Sequence, residues 1–484
     1  MWVTQLAFSV DCVAYRKDAP CDSEAGTVLA ETLLAAVVRA PVDVRILLNA
    51  TLLLDTTRRL RRFFAARLDQ LNGTPGTVRV RGLSCFPQLL HAKMLIVDGH
   101  EAFLLGSPFA NGYWDDPRHA PVDARRPLRE LGGRPLHDVS VRLTGQPVAQ
   151  LERIFASLWN HTASDVPDVI EGAGGRTTVC PRDAEGPEAP VPAPVRIVCT
   201  SPARVLPDAR CGQTEIIDAL LEGIAGARAL IYVEHQYLSA RPVVSALAAA
   251  LRREPELEVI LVLNQNPDVT AYQRWQNARL AESGLVDHSR VGLFALWSAA
   301  GAGGGAATPT LNQVFVHSKV VVVDDLWATV GSANLDGASL HSYGDDFTTF
   351  PLRWVFRGVR NFDVNVVVCD ASGGSRPSRY AADLRARLWS EHLDLPLEFL
   401  AERPSGGWLP LWRARAAANV AALGRPGGAG QMRGFVLPYS VQRTPALQLT
   451  ELGVQVDRER IDVCFDPGWL EVQFSPNWVR NMFG

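Results

Sequence analysis

The sequence contains very little lysine. Of its 48 basic residues only three are lysines, and the other 45 are arginines. Where a positive charge alone suffices, this chain uses arginine, whose planar guanidinium differs from the compact ammonium group of lysine. Two of the three lysines, Lys93 and Lys319, therefore mark positions where the ammonium group itself is expected to matter.

The chain also lacks an excess of positive charge. Its formal net charge is −3 and its pI is about 6.4, whereas proteins that follow a nucleic-acid backbone carry a basic surface. We therefore expect no nucleic-acid partner. A positive pocket confined to one site is still compatible with these totals.

Metal-binding cysteine motifs and long apolar runs are absent as well. The eight cysteines form no CxxC pair, and no HExxH or Cys/His ligand spacing occurs. The sequence therefore implies no metal and no other cofactor. A disulfide among the three cysteines in or beside 163–213 stays open. No stretch reaches the roughly 18 apolar residues of a membrane-spanning helix, and residues 1–15 lack the basic start of a signal peptide.

The two marked lysines occur in two copies of one motif, HxKxxxxD followed by Gly-Ser. The motif residues are His91, Lys93, Asp98, Gly106 and Ser107 in the first copy, and His317, Lys319, Asp324, Gly331 and Ser332 in the second. The two histidines are 226 residues apart. In each copy the glycine is followed 32 residues later by an aspartate in an apolar run, Asp138 or Asp363. Repeats of this length predict two similar structural units.

Further matches support an internal repeat. Residues 42–49 (VDVRILLN) match 257–264 (LEVILVLN), and 78–83 (VRVRGL) match 291–296 (VGLFAL). The predicted division is a first repeat at 1–162, a Pro/Gly-rich linker at 163–213, a second repeat at 214–395 and a C-terminal extension of unknown role at 396–484.

Short apolar, β-branched runs alternate with helical patterns, which predicts an α/β fold. Helices are predicted over 27–40, 56–70, 146–160, 215–226, 241–253 and 380–390. Each HxK segment is predicted to be a strand. Because side chains two residues apart on a strand point the same way, the histidine and lysine of each motif would share a face.

The paired motifs resemble those of the phospholipase D superfamily. Three further segments are similar to its phospholipase branch: 231–237 (IYVEHQY), 114–119 (WDDPRH) and 137–145 (HDVSVRLTG). The resemblance covers roughly residues 1–395. It implies two phospholipase D-like repeats, each with a mixed β-sheet flanked by helices, related by a pseudo-two-fold axis and sharing an active site at their interface.

The motif residues suit phosphodiester cleavage, which requires a nucleophile, an acid for the leaving oxygen and cations for the phosphoryl oxygens. One neutral imidazole can attack phosphorus while a protonated one donates to the leaving group. The resemblance suggests His91 as the nucleophile and His317 as the acid, although the sequence alone does not order them. Lys93 and Lys319 would neutralise the phosphoryl oxygens.

Other polar residues are assigned supporting roles. Candidates for phosphate or substrate binding are Ser107, Ser332, Asn334 and Glu234. Asp138 and Asp363 are expected to orient the imidazoles, because a carboxylate selects one histidine tautomer. Asp98 and Asp324 are expected to be structural.

The first copy departs from the motif. Phe109 stands where Asn334 stands in the second copy, and nearby Asn111 is a candidate replacement. The first repeat therefore offers one hydrogen-bond donor fewer to the phosphate, unless Asn111 supplies it. Both His-Lys pairs are intact, so we expect an active enzyme.

The predicted function is a phospholipase D-type phosphodiesterase that hydrolyses phospholipid head groups, or transfers the phosphatidyl group to an alcohol, through a phosphohistidine. Three alternatives stay open: a cardiolipin-synthase-like phosphatidyltransferase, a nuclease of the same superfamily and a non-enzymatic lipid-binding relative. The intact His-Lys pairs favour an enzyme, and the mildly acidic chain disfavours a nuclease. We expect a monomer without transmembrane segments, cytoplasmic or peripheral to a membrane where it meets its phospholipid substrate, with secretion left open.

Overall fold

The computed structural model describes most of residues 1–441. Outside the description lie 16–25, 52–55, 68–72, 85–86, 128–130, 163–194, 207–210, 266–269, 301–309, 348–350, 371–378, 426–427 and 442–484. Most of the predicted linker and the end of the predicted C-terminal extension therefore lie outside the described residues. Cys199 and Cys211 are free, and Cys180 lies outside the description.

Strands alternate with helices along the chain. The strands of the first part are β1 Trp2–Gln5, β2 Val13–Tyr15, β3 Gly26–Val28, β4 Asp43–Asn49, β5 Thr77–Leu83, β6 Met94–Val97, β7 Glu101–Leu104, β8 Leu136–His137 and β9 Val141–Thr144. Those of the second part are β10 Val195–Ser201, β11 Gln213–Thr214, β12 Leu230–His235, β13 Glu258–Leu263, β14 Val291–Ala300, β15 Thr310–Gln313, β16 Phe315–Val316, β17 Lys319–Val323, β18 Trp327–Gly331, β19 Asp363–Cys369 and β20 Val436–Pro438.

A helix is present in each predicted range, although residues 68–70 of the range 56–70 lie outside the description, and the structure adds others. The α-helices are α1 Leu29–Arg39, α2 Thr57–Ala65, α3 Gln146–His161, α4 Glu215–Gly226, α5 Arg241–Arg253, α6 Thr270–Glu282, α7 Gly337–Leu340, α8 Leu352–Val355, α9 Tyr380–Leu393 and α10 Leu409–Leu423. One-turn 3-10 helices include Asn111–Tyr113, Tyr343–Asp345, Leu397–Leu400 and Gly428–Gln431. The α/β class predicted from the alternating patterns is confirmed.

Within the described residues the strands form one six-stranded and one ten-stranded mixed sheet, together with the two-stranded pairs β2-β3 and β8-β16. The first has the order β5-β4-β1-β6-β7-β9, and the second contains the run β14-β13-β12-β17-β18-β19. Both runs begin with two parallel pairings and continue with three antiparallel ones. The matched segments of the sequence thus occupy matched strands. The pseudo-two-fold axis and the repeat boundaries stay predictions.

The second sheet is covered on both faces. Every residue of β12, β13 and β17 is buried, which explains their almost continuous apolar sequence. Alternate residues serve two cores, because successive side chains of a strand point to opposite faces. Tyr232 packs with Trp389 of α9 and Trp412 of α10, whereas Val233 belongs to the core that α4 and α5 complete.

Two segments that lie outside the predicted repeats belong to the second half of the structure. Residues 195–201, assigned to the linker, form β10, which pairs with β19 in the second sheet. Residues 409–423 and 436–438, assigned to an extension, form α10 and β20, and β20 pairs with β14. Both segments carry apolar residues that the second sheet buries, including the fully buried Trp412.

The HxK segments are also not strands along their whole length. β6 begins at Met94 and β17 at Lys319, so both histidines precede their strands. The backbone N–H groups of His91 and His317 donate to Phe362 and His137 instead of to a strand of their own sheet. Each histidine is thereby held against the other half of the chain.

Candidate active site

The two motif histidines are placed by reciprocal contacts between the halves of the chain. The backbone N–H of His91 donates to the carbonyl of Phe362 at 2.9 Å, and that of His317 donates to the carbonyl of His137 at 2.8 Å. Phe362 and His137 directly precede the two predicted orienting aspartates. The same local geometry therefore occurs twice, each time across the interface.

The orienting aspartates are exchanged between the halves. His91 Nδ1 lies 2.7 Å from Asp363 Oδ1, and His317 Nδ1 lies 2.7 Å from Asp138 Oδ2. A carboxylate on Nδ1 selects the tautomer whose Nε2 is free to accept or carry a proton. Burial alone would raise the pKa of both carboxyl groups, but the neighbouring imidazoles and lysines hold each pKa below its usual value.

The Gly-Ser turns bring these aspartates into position. A Cβ on Gly106 would lie 1.8 Å from Asp138 Oδ1, so only glycine permits this approach. Ser107 donates to Asp138, and Ser332 Oγ donates to Asp363 Oδ1 at 2.7 Å. A serine hydroxyl has one hydrogen to donate. Both serines therefore hold aspartates in this structure, and the phosphate-binding role predicted for them stays a prediction.

The two motif lysines are buried beside their histidines. Lys93 Nζ donates to the carbonyl of His91 at 2.7 Å, and Lys319 Nζ donates to that of His317. Burial and the charge of Lys319 lower the pKa of Lys93 to about 7. The two ammonium groups are close enough for each to disfavour the charge of the other. Their charge is the attraction that this part of the site offers to an anion.

The surroundings of both imidazoles favour the neutral form. Burial and the charge of Lys319 lower the pKa of His317 to about 3, despite the opposing effect of Asp138. Burial and the charge of Lys93 likewise lower the pKa of His91, despite Asp363. A bound anion would offset the lysine charges and raise both values.

The remaining motif residues fall into two groups. Asn334 is buried, and its Oδ1 has no hydrogen-bond partner among the described residues. Asp324 accepts hydrogen bonds from the backbone N–H groups of Arg228, Ala229 and Leu230 at 2.7–2.8 Å, which supports the start of β12. Asp98 has the same left-handed backbone as Asp324, with φ of 53° in both.

The first repeat provides no equivalent of Asn334. The ring of Phe109 packs edge-on against Phe8, with ring centroids 5.2 Å apart. Asn111 accepts from the backbone of Val13 at 2.8 Å and donates to that of Asp11 at 2.9 Å. Its carboxamide therefore forms hydrogen bonds with the segment after β1. Asn111, the predicted replacement for Asn334, thus donates to the backbone in this structure.

Sequence reasoning missed a matched pair of asparagines. Asn49 is the last residue of β4, Asn264 directly follows the matched strand β13, and both are fully buried. Asn49 Oδ1 accepts from Leu90 N at 3.1 Å, and Asn264 Oδ1 accepts from Val316 N at 2.8 Å. Each acceptor thus fixes the residue before a motif histidine. The signal was present, because both asparagines close the matched segments VDVRILLN and LEVILVLN.

A tyrosine was also missed. The ring of Tyr113 lies edge-on to the imidazole of His317, with centroids 5.0 Å apart. It follows the first Gly-Ser turn in a one-turn 3-10 helix. No repeat or motif marks this position, so the sequence offered no signal for it.

Glu234 lies in the protein interior. It is fully buried and accepts hydrogen bonds from Tyr232 at 2.5 Å and from Ser318, which follows His317. His392 Nε2 lies 2.8 Å from its Oε2. These partners occupy both carboxylate oxygens, so the placement does not support the predicted contact with substrate.

Glu234 belongs to a chain of alternating carboxylates and imidazoles. His137 lies 2.8 Å from Glu234 and 2.9 Å from Glu391, and His119 lies 3.0 Å from Glu391. His119 in turn contacts Asp115 at 2.9 Å. The His137–Glu234 contact is close but poorly aligned for a hydrogen bond, so its attraction is electrostatic. Although burial opposes it, Glu234 and Glu391 raise the pKa of His137 well above its usual value.

Among the described residues, this series of carboxylates and imidazoles also contains the side-chain groups that could hold a metal ion. The triads His119–His137–Glu391 and His137–Glu234–His392 each bring their ligand atoms within 4.8 Å of one another. The contacts of 2.8–3.0 Å between them are direct nitrogen–oxygen contacts. We therefore describe this series of side chains as a buried ion-pair network beside the two motif histidines.

Glu234→Gln should lower the free energy of unfolding by about 3–5 kcal/mol, because the variant removes one of the two carboxylates that face the buried imidazolium of His137. His137 has a raised pKa in the folded state. The stabilisation that comes from the charged form of His137 is therefore fully present below about pH 6.5, and it is lost as pH rises through the raised pKa. Urea unfolding of both proteins at pH 6 and pH 9 should show the larger difference at pH 6.

The matched control for that measurement is Glu222→Gln, which removes an exposed carboxylate 3.4 Å from Arg196. Exposed ion pairs contribute little, so its stability should stay close to wild type at both values of pH. Equal effects of the two substitutions would contradict the network.

Comparisons with known proteins place these features in a family. A family model described as "Cardiolipin synthase, PLD-like domain" matches residues 220–348, which include the second motif. Phospholipase D A of Dictyostelium discoideum is 23% identical over 368 residues, which are 63% of this chain and 27% of that protein. Phospholipase D zeta 1 of Arabidopsis thaliana is 32% identical over 114 residues, 22% of this chain and 10% of that protein. The chain belongs to the phospholipase D superfamily.

Solved structures of the superfamily are also similar. Phosphatidylserine synthase of Haemophilus influenzae is 12% identical and matches 77% of each chain with a TM-score of 0.43. Nuc of Salmonella typhimurium, a phospholipase D family member, is 16% identical and matches 41% of this chain and 93% of its own, with a TM-score of 0.25. The regions matched to the curated relatives span no more than about a quarter of their length.

Superfamily enzymes are phosphodiesterases or phosphatidyltransferases. Superfamily membership was predicted from the paired motifs and is confirmed. Among the described residues, no helix combines the length and the hydropathy needed to cross a bilayer.

Proposed function

We propose that the chain is a phospholipase D-type phosphodiesterase that cleaves a phospholipid head group, or transfers the phosphatidyl group to an alcohol, through a phosphohistidine. The observation that carries the proposal is the reciprocal arrangement of two imidazoles, each held at Nδ1 by an aspartate 2.7 Å away from the other half. With both Nδ1 atoms engaged, both Nε2 atoms are available for chemistry. Two buried lysines supply the positive charge between them.

In the first step His91 Nε2 attacks phosphorus. A phosphorus–nitrogen bond forms while the bond from phosphorus to the head-group oxygen breaks, and that oxygen takes a proton from His317 Nε2. In the second step water or an alcohol attacks phosphorus and gives its proton back to His317. The phosphorus–nitrogen bond then breaks, which returns both histidines to their starting forms.

Substrate binding prepares the acid. The phosphodiester carries one negative charge, and placing it beside Lys93 and Lys319 offsets the charge that lowers the pKa of His317. The pKa of His317 therefore rises when substrate binds, and the protonated form becomes accessible. Asn334 is buried in the second motif, and its Nδ2 is our candidate donor of a direct hydrogen bond to the phosphate.

A phosphatidyltransferase is the second candidate. The match of residues 220–348 to a model described as a cardiolipin synthase domain favours it. The chemistry is the same, and only the acceptor changes from water to the hydroxyl group of a second lipid. The balance between the two reactions depends on which acceptor reaches phosphorus.

Incubation with phosphatidylcholine in the presence of ethanol should yield phosphatidylethanol, because ethanol competes with water for the phosphohistidine. Mass spectrometry of the lipid products, with and without ethanol and with phosphatidylglycerol as an added acceptor, separates hydrolysis from transfer. Turnover should persist in EDTA. Failure of every tested phospholipid to react, with a soluble phosphodiester still cleaved, would reject a phospholipid substrate.

A further inference from the structure

An unusually apolar surface lies on the one-turn helix α8. Leu352, Trp354 and Val355 are 43%, 65% and 48% exposed. They account for three of the eight large apolar side chains exposed in the described part of the chain, and Trp354 is the only tryptophan among those eight. Scattered exposed apolar residues are ordinary, whereas such a cluster indicates a binding surface.

Positive charge accompanies this surface. Arg353 and Arg357 are exposed, and within the described residues neither forms an ion pair. The chain as a whole carries a net charge of −3, so this local charge runs against the overall balance. Tryptophan and arginine together are typical of protein segments that rest in the head-group region of a bilayer.

Hydrogen bonds connect the segment that carries this surface to elements of the candidate active site. The backbone N–H of Tyr343 donates to Val359 at 2.7 Å and that of Gly344 donates to Phe356 at 3.0 Å, which holds α8 against the turn that follows the second motif. On its other side the segment ends at Asn361, whose Oδ1 accepts from Leu89 N at 3.0 Å. Asp363, the partner of His91, follows two residues later.

A row of aromatic rings begins at Phe356, which directly follows α8. Phe356 stacks on Phe347 with centroids 5.3 Å apart, Phe347 contacts Trp275 at 5.4 Å, and Trp275 contacts Tyr272 at 5.0 Å. The row ends at Tyr237, which stacks on Tyr272 at 4.1 Å. Tyr237 lies two residues beyond His235, the strand partner of Lys319. The segment that carries the exposed side chains and the motif lysine are thus parts of one packed unit.

We propose that residues 352–357 dock on an anionic phospholipid bilayer and so present the active site to its substrate; this inference rests on the proposed function. Trp354, Leu352 and Val355 enter the head-group region, and Arg353 and Arg357 contact lipid phosphates. The apolar contacts provide binding to any phospholipid surface, and the arginines provide a preference for anionic ones.

The test measures binding of the full chain to sedimented vesicles of phosphatidylcholine alone and of equimolar phosphatidylcholine and phosphatidylglycerol. Trp354→Ala should weaken binding to both vesicles. Arg353→Ser and Arg357→Ser should each weaken binding to the mixed vesicles by about fivefold and leave phosphatidylcholine binding nearly unchanged. All three should keep wild-type turnover of a short-chain phosphatidylcholine dissolved as monomers.

The controls lie away from this surface. Leu326→Ser removes a side chain that is 49% exposed in the turn between β17 and β18, and Arg252→Ser removes an exposed arginine at the end of α5. Neither should change vesicle binding. Unchanged binding in the three test variants, or an equal loss on the dissolved substrate, would overturn the proposal.

Two outcomes separate this inference from the proposed function. If vesicle binding depends on Trp354 but no phospholipid is cleaved, the surface stands and the proposed activity fails. If Trp354→Ala changes the molar mass in light scattering and leaves vesicle binding intact, a second copy of the chain covers the surface and membrane docking is rejected.

Discussion

His91→Ala should abolish reaction with every phosphodiester, whereas His317→Ala should still release one equivalent of a good leaving group. The difference follows from the two proposed roles. Without a nucleophile no phosphorus–nitrogen bond forms. Without the acid, a leaving group such as p-nitrophenolate departs unaided, but the phosphohistidine then lacks the base that activates water.

The measurement compares an activated nitrophenyl phosphodiester with phosphatidylcholine. On the activated substrate His317→Ala should give a burst of one nitrophenol per enzyme followed by a stall, and the trapped phosphoryl group should be found on His91 by peptide mass spectrometry. On phosphatidylcholine its turnover should fall by about 10²–10⁴-fold, the usual contribution of a general acid.

The control for both variants is His100→Ala, an exposed histidine shortly after the first motif, which should behave as wild type. A burst from His91→Ala with the label on His317 would show that the roles are exchanged. Steady turnover by either variant on both substrates would reject the phosphohistidine mechanism.

Asp138→Asn and Asp363→Asn should impair the histidine of the opposite half. Asparagine preserves the size of the side chain but favours the wrong imidazole tautomer, an exchange that can cost up to about 10⁴-fold in rate. Asp363→Asn should therefore slow formation of the phosphohistidine even from the activated substrate. Asp138→Asn should leave that step fast and slow the acid-dependent one.

Double variants test directly whether each aspartate acts on the histidine of the opposite half. Adding Asp138→Asn to His317→Ala should cost little more, because the aspartate acts through a histidine that is already missing. Adding Asp363→Asn to His317→Ala should instead slow the burst further. If the effects of Asp138→Asn and His91→Ala on the rate proved non-additive, the aspartates would serve the histidines of their own halves and the crossed arrangement would be wrong.

Much of the fold could be predicted from local sequence. Helices such as α3, α4 and α5 show the 3.6-residue apolar period, and the matched strands β4 and β13 carry the same apolar run. Local patterns failed where a segment meets a distant one. Residues 195–201 lie beside a Pro/Gly-rich stretch and read as linker, and only pairing with β19 identifies them as a strand.

The candidate site divides in the same way. The scarcity of lysine and the repeated motif identified His91, Lys93, His317 and Lys319, because those features are visible in the residue order alone. The roles of the serines and of Glu234 were not visible there. A serine can donate to phosphate or to a carboxylate, and the choice depends on which group lies nearest after folding.

By itself, then, the sequence determined the expectation of two similar units and the candidate side chains for phosphoryl chemistry. Only the tertiary structure decided which aspartate serves which histidine, since the two contacts join residues 272 and 179 positions apart in the chain. The physical reason is that residue order specifies local conformation and the face on which a side chain lies. Contacts between distant segments depend on how the two sheets pack together.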